Sequence, residues 1–576
     1  MRKTVIDIWR SSVSVSFLLA SLAAAGMTAV AAPSVGKPEP SSEVPFGAYL
    51  AGRHAQHMRD YKAAASWFED ALRADPESPE LITRTFLMEA SEGRFERART
   101  LAESELKLDA TDAVAQLVLL MDRIQAGDKP GALARAEALP AEGVHRFVGP
   151  LARTWTRMAM GDLAGADAAL QEFDKFNGFA PLKYYQLGLV YDFAGRADLA
   201  EENFKKTLEA TGQLNWRLTD AMANFYQRHG RNDEARALYQ RFVNDNAGSE
   251  LAESAITSKP AEPPPALIGS PEDGFAEALF DLASVVNQPE TLDLALLYAR
   301  CAVELRPHLT LGQLLLSDVL SAQNKPELSL EILAEIPQSS PYWWSARLRV
   351  AANLETLDRT DEAIAQLKAM AAEAPLRAGA DMQLGDLLRG KKRFIEAVDA
   401  YDEAIQRFQA AGMPERWSPF YSRGIALERS GQWKRAEDDL ERALELKPDQ
   451  PLVLNYLGYS WIDRGENLQR GLKMIEKAVE LRPEDGYVVD SLGWAHYRLG
   501  DYTSAVQFLE KAIELVPEDP TINDHLGDAY WQNGRPIEAR YQWRRALQFG
   551  PQEDEIKPIQ AKLDGGTVPS TGARGG

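Results

Sequence analysis

Cysteine is almost absent from this sequence, which has a single one, Cys301, among 576 residues. One cysteine cannot form an internal disulfide bond, a cysteine-based zinc site or an iron–sulfur cluster. The surrounding segment, ALLYARCAVEL, is apolar, and no histidine or helix start lies beside the thiol to lower its pKa. We therefore predict that Cys301 is buried and unreactive.

Basic residues are outnumbered by acidic ones. The chain has 64 Lys and Arg against 85 Asp and Glu, which gives a formal net charge of −21. Surfaces that bind nucleic acid or anionic lipid need a basic stripe, because Lys and Arg must replace the counterions of the phosphates. The charge balance therefore argues against both partners. The composition is that of a soluble folded protein, but the chain is too long for one hydrophobic core and should form several domains or a repeat array.

Motifs that support catalysis are missing as well. The sequence has no G-x-S-x-G elbow, no P-loop and no G-x-G-x-x-G turn after a strand. Its seven histidines are scattered; His54 and His57 could touch one metal ion from one helix, but no third ligand is indicated. We expect solvated histidines, no metal, no cofactor and no catalytic residues. An enzyme acting on cell-wall material would need an acid–base pair that we cannot identify.

Long hydrophobic runs are confined to the N-terminus. There Arg2, Lys3 and Arg10 are followed by an uncharged apolar run that ends in Ala-Val-Ala at positions 29–31. This order is typical of a secretory signal peptide with cleavage before Ala32. The alternative is an uncleaved membrane anchor, which fits less well because the run is rich in the weakly hydrophobic Ala, Ser and Gly.

The predicted signal peptide spans 1–31 and is followed by a flexible segment at 32–44. No later segment reaches 18 apolar residues, so we expect no membrane span after cleavage. No cysteine lies near the cleavage site, which removes the lipid acceptor that a lipoprotein needs. The mature chain is therefore expected to be exported and soluble.

A period of about 34 residues runs through the rest of the chain. One unit contains Leu526-Gly527, Tyr530, Gly534, Ala539, Trp543, Ala546 and Pro551, and the preceding unit contains Leu492-Gly493, His496, Gly500, Ala505, Leu509, Ala512 and Pro517. A small residue recurs where two antiparallel helices would cross, because helices approach closely only where side chains are small. These residues are Ala64, Ala98, Ala132, Ala166, Ala200, Ala235, Ala295, Ser329, Ala363, Ala397, Ala436, Gly471, Ala505 and Ala539.

These offsets match the W-x2-L-G-x2-Y…A-x3-F…P pattern, and the chain resembles the tetratricopeptide repeat family over nearly the whole mature sequence. We predict an all-α fold: an α-solenoid, wound as a right-handed superhelix, of about 14 helix-turn-helix repeats. Each hairpin buries its apolar face only by stacking on a neighbour, and the stacked array has a concave groove.

The longest step between the small residues, 60 residues after Ala235, divides the array. Six repeats at 45–247 precede a proline-rich insertion at 248–274, and eight repeats at 275–551 follow it. The prolines favour an extended, semi-rigid linker; a loop packed on the superhelix, with its apolar Ala-Leu-Ile in a groove, is the alternative and stays open. The segment 552–576 is expected to hold a capping stretch and a disordered Gly-rich tail.

The resemblance also implies a binding surface, formed by positions 2, 5, 9 and 12 of the first helix of each repeat. The candidate groove residues are Tyr421, Asn455, Tyr459, Tyr487, Asp490, Trp494, Tyr497, Asp524, Asp528 and Trp531. Aromatic rings supply contact area, and amides and carboxylates can pair with the backbone or basic side chains of a peptide. The alternative is that the rings pack neighbouring hairpins together. The Lys/Asn/Arg clamp of chaperone-binding repeats is not present, because Tyr456, Ser491 and His525 occupy its slots.

About the last 140 residues, from NYLGYSWIDRGENLQRGLKMIEKAVELRPEDGYVVDSLGWAHYRLGDY onward, have a narrower resemblance. They are similar to bacterial cell-envelope tetratricopeptide proteins, including the outer-membrane adaptors that deliver substrates to carboxyl-terminal processing proteases. The resemblance implies a non-enzymatic scaffold or adaptor in the periplasm, with protein partners such as a periplasmic protease or an envelope assembly component. Those adaptors are usually lipoproteins, and this chain lacks the acceptor cysteine. The alternative is a component of an envelope export or polysaccharide-secretion machinery.

Overall fold

The computed structural model describes residues 46–143, 145–246 and 263–565. Several predicted segments lie wholly or partly outside these residues: the signal peptide at 1–31, the segment at 32–44, the insertion as far as residue 262, and the tail beyond residue 565.

The described residues form 29 α-helices and one short 3-10 helix, Glu172–Lys175, and contain no strand. The helices before the insertion are α1 Phe46–His57, α2 Tyr61–Ala74, α3 Pro79–Glu92, α4 Phe95–Leu108, α5 Ala113–Gln125, α6 Lys129–Ala138, α7 Val148–Ala159, α8 Leu163–Gln171, α9 Ala180–Phe193, α10 Ala197–Thr211, α11 Trp216–Arg228 and α12 Asn232–Asp245. The helices after it are α13 Pro271–Val285, α14 Leu292–Leu305, α15 Thr310–Ala322, α16 Pro326–Ala334, α17 Trp343–Thr356, α18 Thr360–Glu373, α19 Gly379–Gly390, α20 Phe394–Ala410, α21 Trp417–Arg429, α22 Trp433–Leu446, α23 Pro451–Arg464, α24 Leu468–Leu481, α25 Gly486–Arg498, α26 Tyr502–Leu515, α27 Pro520–Gln532, α28 Pro536–Gln548 and α29 Glu553–Gly565. The prediction of an all-α fold is confirmed.

Consecutive helices form fourteen helix-turn-helix repeats within the described residues, from α1–α2 to α27–α28, and α29 follows the last one. All fourteen small residues of the predicted register lie on the second helix of their repeat and are buried, which confirms the register. Gly527 shows why the first helix also needs a small residue. A Cβ atom there would lie 2.4 Å from the ring of Trp543 on the second helix. Only glycine lets these two helices approach so closely.

The turn inside a repeat is determined by a Gly-Asp pair in three of the repeats. Gly500 follows α25 with φ +83°, a left-handed conformation that glycine adopts without steric cost. The next residue, Asp501, caps α26, because its carboxylate accepts a hydrogen bond of 3.1 Å from the Ser504 N–H. The same arrangement occurs at 127–128 and 161–162. One short sequence thus ends a helix and begins the next.

The chain divides into two compact units, with the boundary between Gln366 and Leu367 inside α18. The sequence placed the main division about 100 residues earlier, at the proline-rich insertion of 248–274. The described part of the insertion, 263–274, belongs to the first unit.

In the first unit, the hairpin of α13 and α14 packs against earlier repeats. Helix α13 contacts α7 and α9, and α14 contacts α3 and α5. All four of these partners are first helices of their repeats. Seven consecutive residues of α13, 274–280, are buried, so every face of this part of the helix is covered. The hairpin therefore occupies the surface that the first helices of the N-terminal repeats would otherwise present.

Polar contacts fix the α13–α14 hairpin along its whole length. Five of them join it to helices or loops between residues 61 and 217. They are Tyr61 Oη to Asp293 at 2.7 Å, Arg99 to Glu304 at 3.0 Å, His145 Nδ1 to Tyr298 Oη at 2.9 Å, Gln186 Nε2 to Asp281 at 2.6 Å, and Arg217 to Glu277. Because partly or fully buried polar groups need partners, these pairs specify how the hairpin is seated.

The linker prediction for 248–274 needs correction over its described part. Pro271 begins α13, Ile268 is 4% exposed, and the Asn224 side chain donates a 2.9 Å hydrogen bond to the Pro265 carbonyl. These residues pack on the first unit, as the alternative of a packed loop expected, because an apolar side chain and a helix start both gain from burial there. Residues 247–262 lie outside the described part of the chain.

Candidate functional site

The ten candidate residues all lie on first helices of repeats in the second unit. Tyr421 is on α21, Asn455 and Tyr459 are on α23, Tyr487, Asp490, Trp494 and Tyr497 are on α25, and Asp524, Asp528 and Trp531 are on α27. These first helices stack side by side, since α23 contacts α25 and α25 contacts α27. We call the surface formed by the ten residues the first-helix face.

A stack of three rings forms the centre of this face. The Trp494 ring lies parallel to the His525 ring at a centroid distance of 4.1 Å and to the Tyr497 ring at 4.7 Å. Tyr497 is 2% exposed, whereas Trp494 is only partly buried. The Trp494 Nε1 atom has no hydrogen-bond partner among the described residues. Tyr497 is thus a packing residue, and Trp494 both packs and contributes to the surface.

His525 is bound to the Asp490 carboxylate. Its Nδ1 lies 3.0 and 3.1 Å from the two carboxylate oxygens, and both residues are buried. Burial lowers the pKa of His525, but the Asp490 carboxylate, with Asp524 and Asp528 nearby, outweighs burial and raises that pKa above its usual value. The pair therefore favours a protonated ring under Trp494.

Asp524 and Asp528 are bound to Lys562 of α29. The lysine Nζ lies 2.8 Å from both Asp524 oxygens and 2.8 Å from Asp528 Oδ2, and Lys562 is 4% exposed. The other oxygen of Asp528 accepts a 2.9 Å hydrogen bond from Trp543 Nε1. Burial and the neighbouring Asp524 carboxylate raise the pKa of Asp528 to about 6, although Lys562 opposes them. This acid pair already holds an ammonium group.

The other four candidates on α21, α23 and α25 differ in exposure. Tyr487 is 57% exposed, whereas Tyr421 is largely buried against Tyr456, and burial raises the pKa of Tyr421 to about 12. Tyr459 packs against an apolar cluster between α23 and α25. The Asn455 Oδ1 atom is buried and has no hydrogen-bond partner among the described residues. Some of these side chains therefore pack between helices and others lie on the surface. Packing between neighbouring hairpins was the alternative interpretation of the candidate rings.

The structure brings six of the ten candidates into one cluster. They are Asp490, Trp494, Tyr497, Asp524, Asp528 and Trp531. Two members of the cluster, His525 and Lys562, were not among the candidates. Lys562 could have been found, because it lies one period of 34 residues after Asp528 and continues the same repeat position. No pattern in the sequence indicates that His525 pairs with Asp490.

The remaining expectations from the sequence concern single residues. Cys301 is fully buried, which confirms the predicted burial, and burial raises the pKa of its thiol, as expected for an unreactive group. His54 and His57 are exposed on α1. Across the described residues, no group of three or more potential ligands is placed to hold a metal ion. Within the same ranges, no helix combines the length and apolar composition needed to cross a bilayer.

Models of the tetratricopeptide repeat match four segments of the chain, 184–213, 376–449, 421–486 and 493–534. All four fall on the helix-turn-helix units of the fold. These four segments are similar to tetratricopeptide repeats, and the described residues form a helix-turn-helix array of the same type. A search of curated proteins finds no match.

Solved structures with similar folds are distant. A chain of the APC/C hetero-tetramer Cut9-Hcn1 is 16% identical over 90% of this chain and 96% of its own length, with a TM-score of 0.39. A tetratricopeptide repeat protein from Parabacteroides merdae is 15% identical over 43% of this chain and 94% of its own, with a TM-score of 0.36. A thermophilic repeat protein of Thermus thermophilus is 19% identical over 32% of this chain and 98% of its own, with a TM-score of 0.29.

Proposed function

We propose that the protein is a non-enzymatic scaffold of the bacterial cell envelope that binds partner proteins or peptides on the first-helix face of its second unit. The observation that supports this most directly is the partly buried Trp494 ring, stacked on His525 beside three carboxylates. Aromatic rings held rigidly in a polar surround are typical anchors of protein interfaces. The carboxylates are paired with His525 and Lys562, so a basic side chain of a partner would bind them by replacing one of these cations.

The first unit does not offer a comparable surface, and this difference also supports a binding site in the second unit. Its first helices α3, α5, α7 and α9 are covered by the α13–α14 hairpin. A partner would have to displace a hairpin that is buried among them and tied by the Arg217–Glu277 ion pair. The first helices α23, α25 and α27 of the second unit keep partly exposed side chains, such as Trp494 and Trp531.

The envelope location rests on the N-terminal sequence, and the role as an adaptor for a carboxyl-terminal processing protease rests on the resemblance of the last 140 or so residues. An exported protein should have a mature N-terminus at or near Ala32 and fractionate with the soluble periplasm. N-terminal sequencing of the mature protein is the direct measurement. A chain that still starts at Met1, or that stays in membranes after salt washing, would contradict this part of the proposal.

Two tyrosines provide a matched pair for testing the binding face. Tyr487 lies on the first-helix face and Tyr541 on the second helix α28, and both are 57% exposed. A photo-crosslinking amino acid should therefore be equally exposed to solvent at the two positions. We expect specific protein adducts from position 487 and few from position 541, with the adducts identified by mass spectrometry of envelope extracts.

The binding role is supported only if the adducts depend on the ring stack. Trp494→Ala should abolish the adducts from position 487, because it removes the proposed anchor while leaving the crosslinker in place. Equal adducts from positions 487 and 541, or adducts that survive Trp494→Ala, would place the partner-binding surface elsewhere.

A further inference from the structure

Helix α29 is attached to the rest of the second unit by few side chains. Of its 13 residues, Ile559 and Lys562 are buried, and Leu563 is partly buried against the same apolar cluster. Pro558 lies inside the helix, where it lacks the N–H that would complete the hydrogen-bond ladder. Gly550, with φ +71°, precedes the helix and tolerates other backbone conformations equally well. One apolar and one charged side chain therefore provide most of the attachment.

The charged attachment has the geometry of a bound ligand. The Lys562 ammonium group reaches three carboxylate oxygens at 2.8 Å, two from Asp524 and one from Asp528. An ammonium group has three N–H donors, so this arrangement satisfies the whole group. The acid pair thus recognises a primary amine on a flexible stem, and its present occupant comes from the same chain.

The acid pair also belongs to the surface to which the binding function is assigned. Asp528 and Trp494 occupy the same repeat position on neighbouring helices, and Lys562 occupies it on α29. Trp494, Trp531 and Tyr497 pack against the apolar cluster that also contains Ile559 of α29. A ligand anchored on the rings would meet Lys562 at the next position along the face.

We propose that α29 is a detachable latch on the first-helix face, and that the ligand that displaces it is a peptide with an accessible lysine, whose ammonium group replaces that of Lys562 between Asp524 and Asp528. The proposal rests on the binding function assigned to this face. A tethered competitor has an effective concentration on the order of millimolar, and the affinity of a competing ligand is multiplied by the fraction of the time for which the latch is open.

The experiment uses the full chain and a synthetic peptide with the sequence of residues 553–565, labelled for fluorescence anisotropy. Wild type should bind the peptide weakly, because its own α29 occupies the site. Lys562→Gln removes the internal ammonium group and should increase the affinity for the peptide at least about tenfold. A peptide acetylated at the lysine that corresponds to Lys562, rather than at the one that corresponds to Lys557, should not show the increase, since it lacks that charge. Asp528→Asn added to Lys562→Gln should remove the increase as well.

Hydrogen exchange provides one further test of the latch. Hydrogen exchange of the wild-type chain should be faster in α29 than in α27, because the latch opens without global unfolding. Equal protection of the two helices, or no gain of peptide affinity in Lys562→Gln, would overturn the proposal. Failure to crosslink a partner at position 487, with the peptide result intact, would instead count against the binding function alone.

Discussion

Arg217 on α11 and Glu277 on α13 form an ion pair across 60 residues of sequence. The Glu277 side chain is completely buried and that of Arg217 is 12% exposed. Glu277 also accepts a 3.3 Å hydrogen bond from Tyr185, and Arg217 also contacts Asp220 at 3.1 Å. The pair therefore joins three helices of the first unit in a region closed to water.

Removal of one partner of this pair should be far more costly than removal of both. Arg217→Met leaves Glu277 as a buried, unpaired carboxylate, which typically costs about 3–5 kcal/mol of the free energy of unfolding. The double variant Arg217→Met with Glu277→Gln should recover part of this loss. Urea unfolding checks both. The exposed pair Arg359–Glu362 is the control, and Arg359→Met should change the unfolding curve little. An equal effect of the two arginine substitutions would contradict the burial argument.

The first unit should not survive division at the insertion. A fragment of residues 46–246 lacks α13 and α14 and would expose the first helices that they cover, so we expect it to be poorly soluble or weakly helical by circular dichroism. Co-expression with residues 263–366 should restore a soluble complex, because all the long-range contacts of the hairpin are then available. If 46–246 alone melts cooperatively at the temperature of the intact chain, the hairpin is not needed for its stability.

Trp494 and Trp543 should respond differently to truncation, although both lie in the same cluster. Trp543 is completely buried, so Trp543→Ala should cost about 3–5 kcal/mol of stability. Trp494 is partly exposed, and Trp494→Ala should cost less stability but at least about 2 kcal/mol of partner binding, a loss of about thirtyfold. Thermal melting and crosslinking yield at position 487 measure the two effects. A large fall in melting temperature for Trp494→Ala, with crosslinking retained, would assign its ring to packing alone.

The pH dependence of stability should reveal the raised pKa of Asp528, which is about 6 against an ordinary 3.8. Between these values the folded chain holds a proton that the unfolded chain has released, so the contribution of Asp528 to stability falls as the pH rises from about 4 to about 6. The fall is at most about 1.4 kcal/mol per pH unit for one proton. Urea unfolding at several pH values should show wild type losing stability relative to Asp528→Asn in this window. A constant or rising difference would contradict the raised pKa.

The repeat fold was accessible from the sequence because it depends on local rules. A single repeat contains all the signals needed: the small residue of each second helix, the glycine opposite Trp543 and the Gly-Asp turns. The ten candidate residues were likewise found on the expected helices, because position in a repeat determines which helix a residue occupies. The contacts that each side chain makes there were harder to predict from the sequence.

Contacts between distant segments could not be predicted in this way. Tyr61 pairs with Asp293 across 232 residues, and nothing in either repeat distinguishes these residues from others of the same type. The proline-rich composition of 248–274 suggested a linker, but the burial of Ile268 depends on neighbours that the local sequence does not specify. Whether Asp524 faces a ligand or an internal lysine is also decided by a segment beyond the recognised repeats.

The seating of α13–α14 among α3, α5, α7 and α9 limits how the gene for this protein can change. An open array gains or loses a repeat with little penalty, since each unit touches only its neighbours. Here a duplication or deletion between residues 61 and 217 would move one set of partners by about 34 residues relative to the hairpin they must meet. The number of repeats before the insertion is therefore fixed, because the hairpin must meet its partner residues. The second unit, where the first-helix face lies, can still vary in length.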